Sequence, residues 1–187
     1  MANQDAAFGL KAIGKVGQNR DNQGLSEYSI AASATAIYQN DPVEMAATGT
    51  ITVAAATDTL LGSLNGVFYT DASTSKPTWA NHLNASNTAT DIVGFVSYDP
   101  YERFEIQSDA ALTAAEVGMN ADIVYAAGST PNYISKVELD HSDLKTATAQ
   151  LRVIGISKDP KNNEAGAVDV NAVVIINEHF LKGTVGI

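Results

Sequence analysis

The chain has 187 residues, a length that fits one domain or one domain with an appended arm. It contains no cysteine, which excludes disulfides, thiolate zinc sites, iron–sulfur clusters and cysteine nucleophiles. Its 21 acidic and 11 basic side chains give a formal net charge of −10, which disfavours nucleic acid and anionic membranes as partners.

The sequence also carries no sign of membrane insertion or secretion. Every apolar run is far shorter than the roughly 20 residues that a membrane-spanning helix requires. The first five residues, MANQD, include an acid where a secretory signal carries bases, and no continuous apolar segment follows them. We therefore expect a soluble protein without a targeting segment.

Residues 1–24 are predicted to form an extended N-terminal arm. The segment has several glycines, each of which costs about 1 kcal/mol relative to alanine in a helix interior. Phe8, Leu10 and Ile13 are its isolated apolar residues, and we expect them to anchor the arm on a neighbouring subunit or a larger shell. The alternative is that Phe8 and Leu10 pack into the protein's own core, as terminal segments often do.

Residues 25–187 are predicted to form a single β domain. Short runs of β-branched and aromatic residues, separated by turn signals, begin near Tyr28. The Asn65-Gly66 pair predicts a tight hairpin turn, because both residues tolerate positive φ. Residues 71–91 are polar and interrupted by proline, and we expect them to form a long loop.

The second half of the chain predicts more regular strands. Strand-like runs cover residues 92–98, 103–107, 121–126, 133–139, 147–157 and 167–177. The last of these is apolar on both faces, which indicates a strand at the centre of a sheet. Thr113 and Glu116 fit a capping box and predict one short helix. Together these patterns favour an all-β fold, a compact β-barrel or β-sandwich of about eight or nine short strands.

No motif in the chain meets the requirements of a nucleotide or metal site. Residues 9–15 (GLKAIGK) have the spacing of a P-loop, but Val16 stands where a serine or threonine must bind magnesium. His82, His141 and His179 are far apart in the sequence, and none has a second ligand at metal-binding spacing. The acidic turn at residues 138–143 lacks the glycine and further oxygens of a calcium loop. We expect no cofactor and no metal.

Asp99, Glu102 and Glu105 are the best candidates for acid–base catalysis. The spacing of Glu102 and Glu105 places them on opposite faces of a strand, whereas catalytic carboxylates must converge on one bond. We therefore expect an exposed turn and strand edge here, and a protein that is not an enzyme.

Trp79, the only tryptophan, stands out among the aromatic residues. Its neighbours in the sequence are polar, and a large aromatic in such a setting is typical of an interface anchor. The aromatic residues as a group would also suit a sugar-binding groove, although core and loop anchoring explains most of them. They are Phe68, Tyr69, Trp79, Phe95, Tyr98, Tyr101 and Phe104.

Several stretches, in order and spacing, resemble a family of short virion structural proteins of tailed phages. The opening, residues 2–11 (ANQDAAFGLK), is similar to the family's start, with Ala7 and Ala12 in place of its prolines. Similar stretches follow at residues 104–107 (FEIQ), 117–122 (VGMNAD), 135–140 (SKVELD), 148–155 (TAQLRVIG), 159–163 (DPKNN) and 174–179 (VIINEH).

The resemblance implies a particle component, made in the host cytoplasm and located on the outer surface of the capsid. It implies a head decoration or cement protein, with the major capsid protein as partner and a homotrimer as the assembled form. The alternative is a tail or fibre component that binds a receptor or carbohydrate.

Overall fold

The computed structural model describes residues 3–17 and 24–183, and its regular structure is mainly strand, about 39% of residues. Helix is limited to three single 3-10 turns, about 5% of residues, as expected for an all-β protein. The 3-10 turns are Ala114–Glu116, His141–Asp143 and Phe180–Lys182. The strands are β1 (Lys11–Lys15), β2 (Ser26–Ser29), β3 (Pro42–Met45), β4 (Ile51–Val53), β5 (Leu60–Thr70), β6 (Pro77–Ala80), β7 (Val93–Ser97), β8 (Glu102–Gln107), β9 (Asn120–Ala121), β10 (Ile123–Val124), β11 (Glu138–Leu139), β12 (Leu151–Ile156) and β13 (Asn171–Ile176).

The first half of the chain forms an antiparallel sheet in the order β2-β7-β5-β3-β4, with β6 also paired to β5. Its inner face is apolar because the inward positions of each strand are aliphatic, and burying them removes apolar surface from water. The buried residues of this core are Ile30, Ile37, Val43, Ile51, Leu61, Leu64, Val67, Leu83, Ala89, Ile92 and Val96.

The second half forms a separate antiparallel sheet in the order β1-β8-β13-β12-β9, beside a two-stranded ribbon of β10 and β11. The centre of this sheet is β13, which confirms the prediction made from its apolar residues on both faces. Strand β1 comes from the N-terminal segment and pairs antiparallel with β8. The core behind this sheet includes Leu10, Phe104, Ile106, Leu112, Leu139, Leu151, Val153 and Val174.

Buried polar contacts join the two halves. The Gln150 side chain, fully buried next to β12, donates hydrogen bonds to the carbonyls of Ala55 and Asp58 and accepts one from the Ile123 amide. Leu60, at the start of β5, packs in the second core, while the next residue, Leu61, packs in the first. Strand β5 therefore contributes a side chain to each core, and the Gln150 hydrogen bonds connect the two halves.

Four sequence predictions about the fold were wrong. The Asn65-Gly66 pair forms no hairpin turn, because β5 runs through it with a register shift between Leu64 and Gly66 in its pairing with β7. The predicted loop at residues 71–91 contains β6. Of residues 133–139, only the last two form a strand. The described residues form thirteen strands rather than eight or nine; the strands form open sheets, so of the two predicted alternatives the barrel does not apply to them.

The capping box is present as predicted. The Glu116 carboxylate accepts hydrogen bonds from the amide of Thr113 at 2.6 Å and from its hydroxyl at 2.8 Å. The helix it caps is only one 3-10 turn, Ala114–Glu116. Across residues 3–17 and 24–183, no helix has the length and apolar character needed to cross a bilayer.

Candidate functional site

The outer face of the first sheet carries three aromatic side chains on adjacent strands. Phe68 lies on β5, Trp79 on β6 and Phe95 on β7. Phe68 is directly opposite Trp79 in the strand register, and Gly66 is directly opposite Phe95. The exposed fraction is 56% for Trp79 and 40% for Phe68, so both of these rings face solvent. We call these three residues the aromatic face.

Gly66 lets two of these rings meet across the strand that separates them. The Trp79 and Phe95 ring centroids are 4.7 Å apart and the rings are tilted by 51°, although β6 and β7 pair with β5 rather than with each other. A Cβ atom at Gly66 would lie 3.0 Å from the indole ring and 3.0 Å from the Ala80 carbonyl oxygen. The indole therefore packs directly over bare backbone, which fixes its position on a rigid strand.

The charges around the aromatic face are acidic. Glu27, exposed on β2, is directly opposite Phe95. The Asp91 carboxylate accepts a hydrogen bond from the Thr70 amide, and the Thr70 hydrogen bonds hold the pKa of Asp91 below its usual value. Hydrogen bonds from Ser73 and Thr74 lower the pKa of Asp71 to about 2. Asp71 and Asp91 are therefore ionised at neutral pH.

The structure separates the three predicted anchors of the N-terminal arm. Leu10 is fully buried in the protein's own core, so the expectation that it anchors on a partner is wrong and the alternative applies to it. Phe8 is half-buried, and Ile13 on β1 is 37% exposed. Of the predicted arm, residues 18–23 and the first two residues lie outside the described part of the chain.

Side-chain amides hold the start of the N-terminal segment on the second sheet. Gln107, fully buried, accepts a hydrogen bond from the Ala6 amide at 2.9 Å and donates one to the Gln4 carbonyl at 2.8 Å. Asn162 also donates to the Gln4 carbonyl, at 2.8 Å. These hydrogen bonds hold the backbone of residues 4–6, and they do not depend on the apolar side chains of the N-terminal segment.

The candidate catalytic carboxylates are buried, contrary to the expectation of an exposed strand edge. Glu102 is 2% exposed and Glu105 is 7% exposed, because β1 covers the edge of β8. Glu102 accepts a hydrogen bond from the Gly14 amide at 3.1 Å, whereas Glu105 accepts from Ser157 and Asn171. Among the contacts of the described residues, the two carboxylates share no hydrogen-bond partner.

The Lys15 ammonium forms a 2.5 Å ion pair with the third candidate carboxylate, Asp99. This hydrogen bond raises the pKa of Lys15. The amide of Gly14, in the P-loop-like segment, faces the Glu102 carboxylate, an arrangement that repels a phosphate.

Each histidine has its own environment in the fold. His179, 1% exposed, donates to the Tyr98 carbonyl and accepts from the Leu181 amide, while burial lowers its pKa and keeps it neutral. The His141 ring contacts Glu116 at 3.1 Å. His82 stacks on Tyr133 with centroids 3.7 Å apart. Within residues 3–17 and 24–183, no three histidine or acidic side chains are arranged to hold a metal ion.

Two features lack any local sequence signal. One is the stack of His82 and Tyr133, with Tyr38 6.2 Å from Tyr133, which unites residues from three distant segments. The other is Asp41, a fully buried carboxylate at the start of β3. Its Oδ2 accepts from the Tyr38 amide at 2.7 Å, and its Oδ1 has no hydrogen-bond partner. Burial raises the pKa of Asp41 to about 6.

Among residues 3–17 and 24–183, the aromatic face is a candidate surface for binding, and the predicted anchor Trp79 lies there on a strand rather than in a loop. Comparisons of the chain with models of protein families, with curated proteins and with solved structures found no match.

Proposed function

We propose that the chain is a non-enzymatic structural protein of a tailed-phage virion, a head decoration or cement protein on the outer surface of the capsid. The observation that carries this proposal is the aromatic face. Trp79 and Phe68 are exposed beside the half-buried Phe95 and form an apolar surface on a rigid sheet, and aromatic residues in such positions dominate protein interfaces. The class of partner comes from the resemblance of the sequence to virion proteins.

In this proposal the protein stabilises the capsid by binding only its assembled form. A ligand that binds one state and not its alternatives shifts the equilibrium toward that state. The protein bridges neighbouring copies of the major capsid protein and assembles on the particle as a homotrimer. Its net charge of −10 favours solubility and keeps it from nucleic acid.

The experiment that tests the proposal compares heads made with and without this chain. We expect electron microscopy to show density for the protein on the outer surface, as trimers, and heads without it to break at a lower temperature. Heads of equal thermal stability and without extra density would contradict the proposal. A single copy or a two-fold dimer at each site would contradict the trimer alone.

A second candidate function is a tail or fibre component that binds a receptor carbohydrate. The same exposed rings favour it, because sugars stack on aromatic faces. It predicts density on the tail rather than the head, and quenching of Trp79 fluorescence by oligosaccharides. A decoration protein predicts neither result.

A further inference from the structure

The aromatic face is too small to hold two copies of the chain together by itself. Aromatic side chains bury about 150–250 Å² each, so the exposed fractions of Trp79 and Phe68 offer about 200 Å². A stable interface needs about 800 Å² from each partner. The rings therefore suit the role of an anchor for a few side chains of a larger partner.

The charges near the aromatic face disfavour a second copy and favour a basic partner. Strands β2, β5, β6 and β7 contain no lysine or arginine, and Glu27 is their single charged residue. Lys76 is the one basic residue next in sequence to these strands; among the described residues, Lys11 lines a cleft with Ser63 of β5, and Lys15, which is paired with Asp99, lines a cleft with Ser26 of β2. The Asp91 carboxylate accepts a hydrogen bond from the Thr70 amide. Thr70 is two residues from Phe68, about 7 Å along β5, and this distance is within the Debye length of about 8 Å at physiological salt.

Two copies of this surface brought together would place the Glu27 and Asp91 carboxylates of both copies in one small interface, where they repel each other. A cationic side chain is instead attracted both by the ring faces and by the carboxylates. Cation–π contacts are strongest with tryptophan and more often involve arginine than lysine.

We propose that the aromatic face docks a basic segment of a different protein chain, one that presents arginine or lysine side chains to Trp79 and Phe95 with Glu27 as the pairing acid. This inference rests on the proposed function, in which that chain belongs to the capsid shell. It adds the surface used for docking and the chemistry of the segment that is bound.

The test measures binding of purified protein to heads made without it, at 50 and 300 mM salt. We expect Trp79→Ala to weaken binding at least 10-fold, since interface anchors of this type dominate affinity. Glu27→Gln should weaken binding several-fold at 50 mM salt and much less at 300 mM, because salt screens exposed charges. Val168→Ala is the matched control, an exposed apolar residue at 58% exposure on a loop outside this sheet, and should bind as the unmodified protein does.

The outcomes separate this inference from the proposed function. If the unmodified protein does not bind heads, the proposed function fails. If it binds and Trp79→Ala binds equally well, the aromatic face is not the docking surface and the inference fails. If Trp79→Ala weakens binding while Glu27→Gln leaves it unchanged or strengthens it at low salt, the partner is not basic and the inference also fails.

A second measurement does not need the particle. Trp79 is the only tryptophan, so its fluorescence reports on this surface alone. We expect a peptide of alternating arginine and leucine to change its emission saturably, and a matched peptide of glutamate and leucine to leave it unchanged. An equal response to both peptides, a response only to an oligosaccharide, or a change that depends on protein concentration alone would overturn the basic partner.

Discussion

Replacing Asp41 by asparagine is expected to stabilise the protein at neutral pH. Its carboxylate is fully buried, one oxygen is unpaired, and no basic side chain is among the groups that affect its pKa. The Ser135 side chain and the Tyr38 amide favour the ionised form, but burial outweighs both and raises the pKa to about 6. In the unfolded chain the pKa returns to about 3.8. The folded state therefore binds this proton more tightly than the unfolded state does.

The magnitude follows from the difference between the two pKa values. One pKa unit corresponds to about 1.4 kcal/mol, so above pH 7 the ionised Asp41 costs the folded state about 3 kcal/mol. As the pH falls from about 7 to 4, the folded state takes up the proton first and this cost disappears. Asparagine carries no charge and keeps an oxygen for the Tyr38 amide. We expect a gain of about 1–3 kcal/mol at pH 8 and almost none at pH 4.

Urea unfolding followed by far-ultraviolet circular dichroism, at pH 8, 6 and 4, measures this difference. Comparing Asp41→Asn with the unmodified protein at each pH cancels the contribution of every other titrating group. Asp71→Asn is a control of opposite sign. Because the pKa of Asp71 is lowered to about 2, its ionised carboxylate stabilises the folded state at neutral pH, and this stabilisation is lost only as the pH approaches 2. If Asp41→Asn is less stable than the unmodified protein at pH 8, or the difference does not vary with pH, the reasoning is refuted.

Four further substitutions test the packing. Leu10→Ala should cost about 2–5 kcal/mol in urea unfolding, because Leu10 is fully buried, whereas Ile13→Ala should cost little; equal effects would contradict the placement of β1. Gly66→Val should displace the Trp79 indole and shift its fluorescence with most of the fold retained, and unchanged emission would contradict the packing of the ring on backbone. Gln150→Leu should cost about 1–3 kcal/mol, since it leaves the buried Ile123 amide unpaired and removes the hydrogen bonds to the Ala55 and Asp58 carbonyls, and a neutral effect would show that water replaces them.

Local pattern was enough to predict the all-β fold and the central strand. In β13, alternate residues such as Val174 and Ile176 are buried, and the intervening positions are also apolar. A strand of this composition is stable only with neighbours on both sides, so its place in the sheet follows from its own residues. The Thr113 and Glu116 side chains likewise bond within four residues of each other, and the capping box was predicted for that reason.

The errors arose where a distant strand decides the local conformation. Asn65 and Gly66 have strong turn propensity, yet β7 on one side and β6 on the other pair with the residues around them and extend the strand. The extra residue is accommodated as a bulge. The aromatic face has the same origin, since only the pairing of β5, β6 and β7 brings Trp79 to Phe95. Sequence reasoning selected Trp79 from its polar surroundings and named Phe95 only as one of seven aromatic residues, because nothing in the local sequence predicts that the two rings meet.

The buried carboxylates show how the N-terminal segment changes the role of residues far from it. Without β1, strand β8 would be an edge strand, and Glu102 and Glu105 would lie at that edge as the sequence suggests. With β1 in place, the Gly14 amide donates a hydrogen bond to the buried Glu102 carboxylate, and Leu10 is buried in the second core.

Deleting the N-terminal segment would therefore expose a sheet edge and part of a core. Loss of particle binding after such a deletion would not identify a contact with the shell, because the fold would be damaged as well. The hypothesis that the arm reaches a neighbouring subunit is thus limited, among the three predicted anchors, to Ile13 and the exposed side of Phe8. Substitutions there leave the buried face of β1 intact and test the lattice role separately from folding.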